Sequence, residues 1–139
     1  MADLTITAAN VIPSSGARRS EYFIDTGVTV TAGQAVYVDT TSGKLKLADA
    51  DAAASALALG IAELGGSPGQ KIPVVYEDDA FTAGATLVVG ETYVVSTTAG
   101  GIAPLSDLAA GDFTTILGIA TTAALLKLRP FVGGTARAA

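Results

Sequence analysis

Carboxylates are the side chains of this chain with the most obvious chemical use. They gather twice, at Glu77-Asp78-Asp79 and at Asp49-Ala50-Asp51, and each grouping invites a metal-ion or acid–base reading. A calcium loop, however, needs oxygen ligands at spaced positions, in the manner of Asp-x-Asp-x-Asp-Gly, and neither grouping has that spacing. Consecutive acids in an extended segment also point to alternate faces. Both groupings therefore read as solvated, and the first as a linker. With no histidine and no cysteine, the chain excludes a Ser–His–Asp or Cys–His nucleophile, a structural zinc site and a disulfide. Its serines lack a histidine base and stand in no Ser-x-x-Lys pattern. The glycine-rich stretch Leu64 to Lys71 lacks both Gly-x-Gly-x-x-Gly and a Gly-Lys-Ser/Thr ending, so it reads as a hairpin loop and not a phosphate cradle. No catalytic, cofactor-binding or metal-ligating residue is assigned, and the expectation is a protein that is not an enzyme.

The elements that surround these groups must then carry the function, and composition bounds them. The chain has 139 residues, a formal charge of −5, and only 15% charged against 50% apolar residues. An ordinary soluble domain carries about 25% charged residues. The longest nearly unbroken apolar run, Ala52 to Ala62, is too short for a bilayer, which needs about 20 residues. Met1-Ala2-Asp3-Leu4-Thr5 has neither the basic start nor the apolar stretch of a signal peptide. The pI of about 4.4 argues against a broad nucleic-acid face. A soluble, non-secreted protein is expected, with its apolar surplus buried between subunits and no nucleic acid or membrane as partner.

Short β-branched and aromatic runs bounded by Gly, Asp and Thr predict strands at 27–30, 35–38, 86–89, 92–95 and 125–128. Asp49 to Ala58 is open between a short helix, capped by Asp49 or Asp51, and an ordered loop. The aromatic residues fall mostly in strand runs and are expected in the core. Two halves of the chain also resemble one another. Gly33 to Leu45 aligns without a gap on Gly90 to Ile102, and Leu-Gly-Ile-Ala recurs at 59–62 and 117–120, a period of about 57 residues. Ile72 to Tyr76 then matches Leu125 to Phe131. Gly43 and Gly100 are expected to take positive φ in tight turns, and Gly60 and Gly118 to mark a bulge or a close backbone approach. The fold expected is all-β with at most one short helix. It is a small barrel or sandwich of two halves, 28–79 and 80–132, hinged at Glu77-Asp78-Asp79 within a core of 22–132. An extended N-terminal arm, 1–21, and a tail, 133–139, lie outside it. Arg18-Arg19 beside Tyr22-Phe23 reads either as an anchor or as a solvated strand start.

The segment Val-Thr-Ala-Gly-Gln-Ala-Val-Tyr-Val-Asp, the Gly-Lys-Leu turn, the Asp/Ala-rich connection and Leu-Gly-Ile-Ala resemble the capsid decoration (cement) proteins of tailed phages. The resemblance covers roughly residues 27 to 131. It implies a β-tulip-like core, no catalytic motif and no cofactor. It further implies a homotrimer on the outer surface of the virion, made in the host cytoplasm, whose partners are the major capsid protein and its own copies. In that family an N-terminal arm often reaches onto the shell. That role would fall to Leu4, Ile6, Val11, Ile12, Arg18 and Arg19, with Leu4-Thr5-Ile6-Thr7 suited to adding a strand to a neighbour. A phage tail or fibre component, or a surface-adhesion β-module, is the alternative. It would show exposed aromatics or a receptor pocket.

Overall fold

Twelve short strands build the molecule in a computed structural model that describes residues 3–20 and 24–136. The first half holds β3 (Ile24–Asp25), β4 (Ala35–Val38), β5 (Leu45–Leu47), β6 (Gly60–Ala62) and β7 (Lys71–Ile72). The second holds β9 (Thr92–Val95), β10 (Ile102–Pro104), β11 (Phe113–Ala120) and β12 (Leu125–Ala136). β8 (Val74–Ala83) joins them, and β1 (Val11–Ile12) and β2 (Arg18–Arg19) belong to the N-terminal arm. The main sheet runs β5-β4-β6-β8-β12-β11-β9-β10 and curls into an antiparallel half-barrel, with β1 and β2 added along β8. Among the described residues the chain is nearly all β, with no helix of seven residues or more.

The strand order reads the same from both ends, and the duplication explains why. Ala35 pairs with Ile61 and Val36 with Gly60, and in the other half Thr92 pairs with Ile119 and Tyr93 with Gly118. The hairpins β4–β5 and β9–β10 share one register as well, Val36 opposite Leu47 and Tyr93 opposite Pro104. Gly43 and Gly100 have φ of 71° and 78° at their matched turns. A Cβ at Gly60 would lie 2.1 Å from the Val75 carbonyl oxygen, and one at Gly118 would lie 2.1 Å from that of Lys127. Both glycines are thus kept by the same backbone approach, and at Gly118 the β11 ladder also slips against both neighbours.

Two sequence expectations are corrected, and a reading left open is settled. Glu77-Asp78-Asp79 is no linker: it lies in the middle of β8, the strand that spans both halves. Its charges are met from far along the chain, which a local reading does not register. Arg18 and Arg129 face Glu77, Arg129 bonds Asp79, and the buried Asp78 accepts from Ser14. Residues 27–30 and 86–89 form no strands, apart from a single bridge between Val30 and Gly66. Leu87 instead drops into the core from a turn. Of the two readings of Asp49 to Ala58, the loop is the one found. Asp49 Oδ1 accepts the Asp51 N–H at 3.1 Å and the Ser55 hydroxyl at 2.8 Å, closing a side-chain turn in place of a helix cap.

The central core draws on both halves, with Ile61, Val75, Phe81, Tyr93, Leu117 and Leu126 all at most 1% exposed. The arm takes part in it. Val11 is buried there, and Leu4 and Ile6 pack against it. Gly84 has room for the arm only because it lacks a side chain, since a Cβ would sit 2.7 Å from the Thr7 carbonyl oxygen. Two satellite clusters cover outer surfaces. Val30, Ile72 and their neighbours cover Val36 and Val74 in the first half, and Leu108 with Ala50 covers Val94 in the second.

Candidate functional site

The six arm residues nominated from the sequence do not form one surface. Leu4, Ile6 and Val11 face the chain's own core, whereas Ile12 is 58% exposed and Arg18 and Arg19 point to solvent. Arg19 Nε lies 2.6 Å from Glu63 Oε2, and that bond holds the guanidinium pKa above its ordinary value. Arg18 reaches Glu77 at 3.7 Å. Tyr22 and Phe23, the other part of the suggested anchor, fall outside the described residues. Leu4 donates its N–H to the Ile102 carbonyl and Thr7 to that of Gly84, each at 2.8 Å, so Leu4-Thr5-Ile6-Thr7 is already bonded within its own chain.

Those bonds bear on how the molecule can associate. The outer edge of β10 is met by Leu4, and that of β5 by Gly27, whose N–H donates to Leu45 at 2.8 Å. Edge strands are the usual template for adding a neighbour's strand. At each end of the main path one edge carbonyl, that of Ile102 and that of Leu45, is thus taken up by the chain itself.

One face is open. On the outer side of the second half, Ile116 pairs with Phe131 and Ile119 with Lys127, and the register shift between Ile116 and Gly118 brings Ile116 and Ile119, three residues apart, to one groove. Ile119 is 48% exposed and Phe131 67%. Ile116, Gly118, Ile119, Lys127 and Arg129 line a shallow groove of about 260 Å³. The slipped ladder at Gly118 forms its floor, where no side chain stands. At the rim, Arg129 is tied down by the Leu128 carbonyl at 2.9 Å, by Glu77 at 3.4 Å and by Asp79. Lys127 has no ion pair among the described residues.

The sequence reading missed this face, having placed the aromatics in the core. A signal was present nonetheless. The positions matching Ile61 and Val75 are Ile119 and Lys127, and a lysine opposite an isoleucine marks a face turned to water. The chemistry available on this face is contact, meaning apolar burial with a cationic rim. Among the described residues no three acids, histidines or cysteines are placed to hold a metal ion. Gly65-Gly66-Ser67-Pro68-Gly69 does carry the Gly-x-Ser-x-Gly spacing of a nucleophile elbow. Ser67 nevertheless sits in an exposed loop, its N–H donating to Gln70 Oε1 at 2.7 Å and its carbonyl accepting from the Thr26 hydroxyl. The residues that follow it form a turn and then a strand, with no helix. Comparison with protein-family models and with curated proteins returns no match for this chain.

Proposed function

We propose that the protein is a structural, non-catalytic component of a phage head, a decoration protein. In this reading it binds the outside of the mature shell, as a trimer, and stabilises it by contact with the major capsid protein and with its own copies. The observation that carries the reading is the open apolar face of the second half. A cement protein acts through interface area and needs no chemistry. At about 25 cal/mol per Å² of apolar surface, an interface of roughly 800 Å² per partner supplies ample driving force. The low charge content and the resemblance noted in the sequence support the same reading.

The test is co-sedimentation of the purified protein with mature phage heads that lack their decoration. Saturable binding that raises the temperature at which the heads rupture is the expected result. Absence of binding to any such shell, together with capture of a cell-surface glycan or receptor, would favour the adhesion module. Deleting the arm is a poor test, because Val11 and Ser14 belong to the fold. Ile12→Asp alters an outward side chain of the arm and Arg18→Ala removes one whose ion pair with Glu77 spans 3.7 Å, and weaker head binding by both would assign the arm a share of the contact.

A further inference from the structure

The open face has a counterpart on the same chain. Across the turn after Asp49, Asp51 and Ala52 to Ala54 are exposed, and Leu57 is 49% exposed, so this loop presents small apolar side chains beside a carboxylate. It is held rather than loose. Ala50 donates to the Ser96 carbonyl and accepts from the Phe113 N–H, each at 2.9 Å, and Ser55 bonds Asp49. A preformed projection loses little freedom on docking. The groove of Ile116, Gly118 and Ile119 offers the converse, an apolar recess with Lys127 at its rim.

The other exposed apolar projections fit less well. Leu64 stands beside Glu63, whose carboxylate is committed to Arg19 at 2.6 Å. Ile12 lies on the arm that carries Arg18 and Arg19, the same sign as Lys127. Val88 and Val89 adjoin the groove itself, since Gly90 donates to the Ala120 carbonyl at 2.8 Å, so they extend the receiving face.

We infer that the open face of the second half receives the Asp51 to Leu57 loop of a second copy of this chain, with Asp51 set against Lys127. This inference names the self-contact that the structural reading above requires, and rests on that reading only there. The loop and the groove are separate sets of residues that adjoin at Ile116, which packs in one cluster with Ala50, and a head-to-tail contact is one way for the loop of one copy to reach the groove of the next. Such contacts close into a ring when the rotation permits, and a three-membered ring is one such closure.

Charge reversal tests it on the full-length chain, with circular dichroism as the check of folding and light scattering as the readout. Lys127→Glu and Asp51→Lys should each weaken self-association by about two- to five-fold, and the double variant should restore it. Ile119→Glu, which puts a charge in the middle of the apolar contact, should abolish it. If either folded single variant keeps wild-type mass across the dilution series, or the double variant stays dissociated, the assignment is overturned. Head binding is measured separately. A chain that assembles by this contact but binds no shell overturns the decoration reading alone, and one that binds shells as a monomer overturns this contact alone.

Discussion

The two halves share strand order, register and glycine positions, yet they use their faces differently. In the first half Ile61 and Val75 are fully buried in the shared core, and Val36 and Val74 on the opposite face are covered by the satellite cluster of Val30 and Ile72. In the second half Tyr93 and Leu126 supply the core, while Ile119 and Lys127, the counterparts of Ile61 and Val75, face solvent. Each half alone is a four-stranded sheet with an apolar face to hide. The first has both faces hidden within the chain, whereas the outer face of the second is covered around Val94 by Leu108 and Ala50 and left open at Ile119 and Phe131. One half thus has its apolar faces buried in the fold, while the matched half leaves Ile119 and Phe131 exposed.

That contrast can be broken most sharply by substitutions at matched positions. Ile61→Ala opens a cavity in the core and should cost about 2–5 kcal/mol, whereas Ile119→Ala should change monomer stability by less than about 0.5 kcal/mol. Urea unfolding under dissociating conditions measures both, and equal losses would show that the outer face is part of the fold. The backbone approaches at Gly60 and Gly118, by contrast, should behave alike. Gly60→Ala and Gly118→Ala each drive a Cβ to 2.1 Å from a carbonyl oxygen, and each should cost about 1–3 kcal/mol or leave the chain unfolded.

The seam between the halves is next. Buried Asp78 accepts from the Ser14 N–H at 2.8 Å, from the Ser14 hydroxyl and from the Ala80 N–H at 3.1 Å. Ser14→Ala leaves the carboxylate one bond short, at about 1–2 kcal/mol. Amide exchange should rise along residues 11–19 before the rest of the sheet. Uniform exchange across the chain would show that the arm is no separate unit.

The smallest effect is a charge that only one half has. Asp39 meets Lys46 at 2.7 Å across the β4–β5 hairpin, where the second half has Ser96 and Ala103. The Lys46 bond, helped by the Thr41 N–H, holds the Asp39 carboxyl below its ordinary value of 3.8. A depressed carboxyl stabilises the fold above its unfolded pKa, and that contribution is lost as the pH falls through the lower, folded value. Asp39→Asn should therefore remove a small part of the acid destabilisation below about pH 4, read by urea midpoints between pH 2 and 5. An unchanged pH profile would mean that this exposed pair contributes nothing.

How far the sequence could be read follows from the range of the interactions. Strands 35–38 and 92–95, the turns at Gly43 and Gly100, and the matched Gly60 and Gly118 were legible because pattern and turn chemistry are local. Glu77-Asp78-Asp79 was not, because Ser14 and Arg129 lie 64 and 50 residues from the acids they bond. Thr86 to Val89 has strand composition but finds no partner strand, so its one buried side chain, Leu87, decides its shape. The arm's Pro-Ser-Ser-Gly stretch looked dispensable because nothing nearby shows that Ser14 meets a buried carboxylate. The open face needed the repeat and the burial together, since only the contrast of Lys127 with Val75 betrays it.

Self-association through the uncovered second half is the centre of this account, and sedimentation equilibrium of the wild-type chain tests it most directly. The account predicts a mass about three times the 13.7 kDa of one chain, falling to one chain in Ile119→Glu. A wild-type mass of one chain at all concentrations, or a trimer that Ile119→Glu leaves intact, would contradict it.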